Sequence, residues 1–303
     1  MRPRRPLSIL AACFACIVCF PVQTKAQGAR DYQNTPVNQL ALTLDIIKTK
    51  GESAPASGLA LPNNLTVSNL IYPFFLWSFP FHGRYGGVSI APSYSTVEFT
   101  GANGTVKSTG FTDPAIGVHL NIFGLPALSR EDFAGAIPQN FLTTRFTVTP
   151  PLGKYDRNSP VNVGANRWSF TPMVNLNITP DEGVQWFEFY AQGRFFTDND
   201  EYQGSQLLSQ EPLVTLSAHY SHNIGPPSFG AWAGIGVNYD YGGETSVNGL
   251  AQGNPANGFR PTVSISTLVG PLRVGLRYES TTTRPTDGKR NGMLDLRIAM
   301  LLF

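Results

Sequence analysis

The feature that most constrains this chain is a parity rule. About a dozen stretches of roughly ten residues alternate apolar side chains with small or polar ones. Leu40, Leu42, Leu44 and Ile46 share one parity, and Asp45 sits on the other. Ala231, Ala233, Ile235, Val237 and Tyr239 oppose Gly230, Gly234, Gly236, Asn238 and Asp240. A period of two is the signature of a strand, whose successive side chains point to opposite faces. Most charges within these stretches fall on the polar parity. Two architectures satisfy such a pattern. One is a barrel with lipid outside and water inside; the other is a soluble sandwich or lipocalin-like barrel with an apolar interior.

The first residues read as an export signal. Arg2, Arg4 and Arg5 precede an apolar run of 14 residues, Leu7 to Phe20, which is too short to span a bilayer as a helix. Cleavage is expected between Ala26 and Ala29, dividing the chain into a signal over 1–28 and a barrel over 29–303. All three cysteines (Cys13, Cys16, Cys19) lie in the signal, so the mature chain has no thiol or disulfide chemistry. Without Arg2, Arg4, Arg5 and Lys25, 18 basic residues face 20 acidic ones. That balance excludes a nucleic-acid partner. A charged fraction of 14% together with 30 glycines suits an all-β chain rich in turns.

The pattern predicts about twelve strands. Connections alternate in length. Long ones cover Thr49–Asn63, Thr100–Pro114, Pro150–Asn166, Thr197–Gln210, Gly242–Phe259 and Arg284–Asn291. Short ones include Thr179–Gly183, Asn223–Ser228 and Gly270–Leu272. Long loops on one rim and short turns on the other are the habit of outer-membrane barrels. The exception is Gly124–Asn140, where Ser129-Arg130-Glu131-Asp132 predicts a short capped helix on the short-turn rim. Pro92 and Pro172 fall inside strands and are expected at a bulge or strand end. Aromatics at strand ends (Tyr72, Phe74, Phe75, Trp77; Trp168, Phe170; Trp186, Phe187; Phe195, Phe196) suggest an interfacial girdle. The signal, the alternating loops and the aromatics favour a closed antiparallel transmembrane β-barrel in the bacterial outer membrane.

The lumen face then carries Asp45, His119, Arg145, Arg167, Glu188, Arg194, His219, Asp240, Arg273, Arg277, Glu279, Asp295 and Arg297. Such a mixture of signs makes either a water-filled conduit for a small solute or a salt-bridged interior that plugs the barrel. Whether Asp31–Pro36 fills the lumen is left open. His219 and Ser221 share a strand face, so an imidazole could activate a hydroxyl in a lipase-like hydrolase. Asp198, Asp200 and Glu201 cluster at a loop base, where a solvated acidic loop is the commoner explanation than a Ca²⁺ site. The sequence carries no recognisable catalytic motif, cofactor loop or metal-ligand spacing, so neither an enzyme nor a cofactor is expected.

Several segments resemble the outer-membrane proteins named for the meta-pathway of phenol degradation. They are Gly110-Phe111-Thr112-Asp113-Pro114, Thr147 through Asp156 with Pro150-Pro151, Gly153 and Tyr155, Asn162 through Trp168 with Asn166, and Phe195 through Asp200. The Gly242-Gly243 loop and Ala29-Arg30-Asp31-Tyr32 fit as well. The resemblance covers nearly all of the mature chain. It implies a transporter-like barrel, linked to uptake of aromatic or hydrophobic compounds, and membrane lipid as its surroundings. An outer-membrane barrel is also expected to engage the barrel-assembly machinery through its C-terminal strand. The motif residues themselves read as loop architecture: Asp113 before Pro114 suits a turn start, and Pro150-Pro151 with Gly153 shapes the exit from a strand.

Overall fold

A computed structural model describes residues 27–52, 65–101, 104–124, 126–281 and 291–302. Residues 1–26 of the expected export signal, Phe303 and most of the expected loops Thr49–Asn63 and Arg284–Asn291 lie outside these residues. In chain order the strands are β1 (Leu40–Glu52), β2 (Leu65–Phe81), β3 (Arg84–Ala91), β4 (Tyr94–Gly101), β5 (Gly104–Phe111) and β6 (Ala115–Phe123). Helix α1 (Arg130–Ala134) precedes β7 (Phe141–Thr149), β8 (Ser169–Ile178), β9 (Gln185–Phe196), β10 (Asn199–Tyr202), β11 (Gln206–Gln210) and β12 (Leu213–Asn223). The remainder are β13 (Trp232–Gly242), β14 (Thr245–Val247), β15 (Leu250–Ala251), β16 (Gly258–Val269), β17 (Leu272–Thr281) and β18 (Asn291–Leu301).

Neighbouring strands pair antiparallel around the wall, and β1 pairs with both β2 and β18, so the sheet closes. β3 with β4, and β5 with β6, each form one interrupted wall strand, which gives the twelve expected from the sequence. Closure leaves few free edges, as a sheet in hydrocarbon requires. The faces follow the parity. On β12, Leu216 is 49% exposed while Ser217 is 6% exposed. Asp45, Asn175, Asn177, Glu188, Ser221 and Asn238 are fully buried, whereas Ile46, Val174, Phe189, Ile235 and Leu276 face outward. The polar interior and apolar exterior select the membrane barrel over the soluble alternative.

Turns on one rim are tight. His82 and Gly83 join β2 to β3, both at positive φ (47° and 74°), the two-residue hairpin geometry that matches strand twist. Gly270 and Pro271 join β16 to β17 in the same economical way. α1 lies on this rim as expected, and Ser129 Oγ accepts from the Asp132 amide at 3.1 Å. On the opposite rim, β10, β11, β14 and β15 form a small sheet that joins two long loops. The expected long loop Thr100–Pro114 is instead a hairpin, because β4 and β5 continue pairing to Gly101 and Gly104. Cross-strand Thr96–Thr109 (3.1 Å) and Thr100–Thr105 (2.9 Å) hydroxyl contacts and the Glu98–Lys107 pair (2.8 Å) support it.

Prolines mark a seam in the wall. β2 pairs with β4 through Leu65–Ile71 and with β3 through Phe75–Phe81, and Pro73 falls between the two partners. Pro92 sits between β3 and β4, the strand end expected for it, and Pro114 sits between β5 and β6. Among the described residues, β5 has no second strand partner beyond the seam. Its edge is crossed by the chain after β7, where Lys154 N donates to Phe111 O at 2.8 Å and Lys154 Nζ to Thr109 O at 2.9 Å. Pro172 departs from expectation: it lies within β8, in register with Phe146, and the ladder to β9 simply lapses at Thr171 and Pro172. The missing N–H is absorbed by a gap in one ladder, without a bulge.

The girdle reading needs correction in part. Trp77, Trp168 and Phe195 do face outward, but Tyr72, Phe74, Trp186 and Phe196 line the interior cavity. Parity explains the split: Tyr72 and Phe74 share a face with Leu70, which is buried with Ile47 and Met293 in an apolar cluster inside the barrel.

Leu276 lies near the middle of β17, opposite Leu296 and Ile265 on its two neighbours. Leu276→Arg is expected to destabilise the inserted barrel by about 2–4 kcal/mol. Equilibrium urea unfolding in lipid vesicles measures this; an unchanged stability would mean that the side chain does not meet lipid.

Candidate functional site: the barrel lumen

The chain ahead of β1 enters the lumen. Residues 27–38 run along the interior and leave at the short-turn rim, where Ser78 Oγ donates to Pro36 O at 2.7 Å and Val37 N to Leu128 O at 2.9 Å. Inside, the segment's backbone and side chains complete the hydrogen bonding of inward residues. Arg30 N donates to Glu188 Oε2 at 2.7 Å, and Arg30 Nε to Ser221 Oγ at 2.9 Å. Tyr190 OH donates to Glu188 Oε1 at 3.0 Å. Asn238 Nδ2 donates to Gln27 O at 3.3 Å. Thr35 and Tyr85 share a 2.8 Å hydroxyl contact.

Charges pair in two chains. Asp31 bridges Arg277 (3.3 Å) and Arg297; Arg277 also meets Asp295 at 2.9 Å, and Arg297 Nε donates to Asp45 at 2.8 Å. Separately, Arg260 joins Asp240 (2.7 Å) to Glu279 (2.6 Å), and Asn238 also donates to Glu279 at 2.8 Å. An unpaired charge in such surroundings would carry a desolvation penalty of several kcal/mol, so matched pairs are the arrangement that a charged interior demands.

The remaining inward candidates other than Arg194 meet neutral groups. Arg145 Nη1 donates to Tyr32 OH at 3.2 Å, and the guanidinium lies 5.4 Å from the Tyr32 ring and 5.2 Å from the Phe74 ring. His119 stacks at 5.4 Å against Tyr85. Arg273 Nη1 donates to Gly230 O at 2.9 Å. Arg167, just ahead of β8, donates to Gln210 and sits 4.6 Å over the Phe196 ring. His219 contacts Thr262 at 3.4 Å through Nδ1 and faces Tyr190 at 5.7 Å. His219 and Ser221 thus share the inward face, but their hydrogen bonds go to Thr262 and Arg30. Between the segment and the wall lies a cavity of about 800 Å³, lined by Leu70, Tyr72, Phe74, Met173, Arg194 and Phe196 among others.

The loop residues assemble at the long-loop rim as architecture. Asp113 accepts from Gly153 N and Ala165 N, both at 2.7 Å, so one carboxylate ties the two arms of the loop after β7 to the seam. Burial pushes this carboxyl above the usual carboxylate range, against the Ala165 and Gly153 amides and the charge of Arg167. A Cβ on Gly153 would meet Asp113 N at 2.6 Å, which is why glycine stands there. Asp156 caps its own turn, accepting from Asn158 N at 2.9 Å. Asn166 adopts φ 52° and donates to Asn199 Oδ1 at 3.0 Å. Asn199, fully buried, in turn donates to Tyr155 OH at 3.0 Å and Ala165 O at 3.2 Å. Asp198 and Asp200 are exposed.

The sequence reading missed the roles of Arg260 and Asn199 and left the place of the segment before β1 open. Arg260 has the parity of Thr262 and Ser264, and extending that strand back to Gly258 would have found it. The segment 27–38 has no periodicity, because it is not a strand. Asn199 stood inside a quoted motif but was overshadowed by its charged neighbours.

A closed barrel with an apolar exterior and a charged, partly filled lumen is the fold of an outer-membrane β-barrel. The chain belongs to the family described as putative MetA-pathway of phenol degradation, which matches residues 48–290. It is similar to the COG4313 outer membrane channel from Pseudomonas putida F1, at 18% identity and TM-score 0.77, over 91% of this chain and 100% of that one. The β domain of the Bordetella autotransporter BrkA is similar at 9% identity and TM-score 0.54, over 87% of this chain and 100% of that one. No curated protein shows significant similarity to the sequence.

Asp113→Ala removes the acceptor of two amides. The expected cost is about 1–3 kcal/mol of local stability for each amide left buried. Hydrogen exchange at Gly153 and Ala165 should accelerate while exchange in β12 and β13 stays unchanged.

Proposed function

We propose that this protein is an outer-membrane channel for small solutes, with apolar or aromatic compounds as its cargo. The observation that carries the reading is the lumen cavity, in which Leu70, Tyr72, Phe74 and Phe196 stand beside a polar wall. A solute with an aromatic body meets matching surface there, while Asp31, Asp45, Asp295, Arg277 and Arg297 around it are neutralised by their own pairs. The long-loop rim faces outside and the short-turn rim faces the periplasm, with both ends of the barrel on the periplasmic side. Export follows the signal over 1–28, leaving 29–303 as the mature barrel. Insertion runs through the barrel-assembly machinery, engaging β18, whose free edge becomes paired only when β1 joins it.

In this reading residues 29–38, the start of the mature chain, constrict the path. Asp31 is the residue that holds them, through Arg277 and Arg297, and each arginine keeps a second carboxylate when Asp31 is lost. Refolded protein in planar bilayers is expected to carry a small ionic current. If the Asp31 pairs together contribute about 1.4 kcal/mol, Asp31→Asn raises the population of the displaced segment about tenfold. Time in the higher-conductance state should rise accordingly. An absence of current where a control porin conducts would rule out passage through an open pore, and an unaltered trace for Asp31→Asn would show that these pairs do not hold the constriction.

A further inference from the structure

Among the described residues, ion pairing in the lumen leaves several arginines without a carboxylate contact, and one of them has no hydrogen-bond acceptor either. Among the described residues, Arg260, Arg277 and Arg297 each meet a carboxylate. Arg30, Arg145, Arg167 and Arg273 each donate to a hydroxyl, an amide oxygen or a backbone oxygen. Arg194 has neither kind of partner. It projects from β9 into the cavity, is 5% exposed, and its Nε is buried without an acceptor. The carboxylate within electrostatic reach is Asp240, already engaged by Arg260 at 2.7 Å and Thr215 at 2.8 Å. The other groups acting on Arg194 are Arg167 and Arg260, both repulsive, and Tyr72 from β2.

A buried guanidinium without a counter-ion is among the least favourable arrangements a fold can hold. Its planar fork is also the best side-chain match to a carboxylate. β2 stands several strands away around the wall from β9, and its Leu70, Tyr72 and Phe74 supply apolar surface to the same cavity. The two walls therefore offer a cationic anchor and an aromatic flank. Resting on the channel reading above, we propose that Arg194 anchors a binding site in the lumen cavity for a small amphipathic carboxylate, with the carboxylate on the guanidinium and the ring against the β2 wall. Arg194 then selects among aromatic solutes, favouring acids over neutral or cationic analogues.

The test is calorimetric titration of benzoate into the refolded full-length protein in detergent micelles, with benzyl alcohol as the uncharged analogue. Arg194→Gln should weaken benzoate binding about tenfold or more, the scale of a charge-assisted hydrogen bond, and leave benzyl alcohol unaffected. Arg194→Lys, which keeps the charge but loses the planar fork, should bind benzoate with an affinity between those of the native protein and Arg194→Gln. It also controls for misfolding, as does the heat-modifiable gel mobility of a closed barrel. Benzoate that fails to bind the native protein, or binds Arg194→Gln equally well, overturns the proposal. Calorimetry does not depend on conduction, so a failed channel reading shows itself in the bilayer current and a failed anchor in the titration.

Discussion

Hydrocarbon offers no hydrogen bonds, and the rest of this structure follows from that. A β chain placed there must pair its backbone groups with itself, which means bending the sheet until β1 meets β18. Closure fixes an inside and an outside, and the period of two then sorts every side chain. The outward set (Ile46, Phe189, Ile235, Leu276) needs no partner beyond acyl chains. The inward set does, because Glu188, Asp45, Asp295 and Arg277 are removed from bulk water by the same closure that satisfies the backbone.

The interior solves this second problem with paired charges and with a stretch of the chain's own backbone. Asp31 joins two arginines whose other carboxylates come from the wall, and the Arg30 amide and side chain complete Glu188 and Ser221. The segment ahead of β1 is therefore part of the polar economy of the lumen. Where its contacts end, the lining changes character, and the Ile47–Leu70–Met293 cluster with Tyr72 brings apolar surface into an otherwise polar space. That juxtaposition of polar and greasy walls is what a conduit for amphipathic molecules requires.

Strand parity was fully legible in the sequence, because lipid and lumen impose opposite chemistry on adjacent residues. Twelve strands and the inward placement of Asp45, Glu188, His219, Asp240 and Arg277 follow from that single signal, and the helix was legible separately from its capping residues Ser129 to Asp132. What parity cannot convey is which inward charge meets which, since Asp31 and Arg297 are brought together only by closure of the ring. Nor does it reveal an inward greasy residue: Tyr72 and Phe74 obey their strand's parity, but in a stretch apolar on both faces neither parity is marked as the lumen side. The hairpin over Gly104–Phe111 was hidden for a related reason, because glycine and threonine there imitate a loop. Pro172 misled in the other direction, since a proline in a wall strand needs only one lapsed ladder position.

The contacts of Asp31 carry an implication for the ring. Both of its arginines stand on the last two strands, β17 and β18, while Asp31 itself precedes the first. The interior electrostatic lock therefore spans the closure of the ring: it can exist only where the strand that follows Asp31 lies beside the last one.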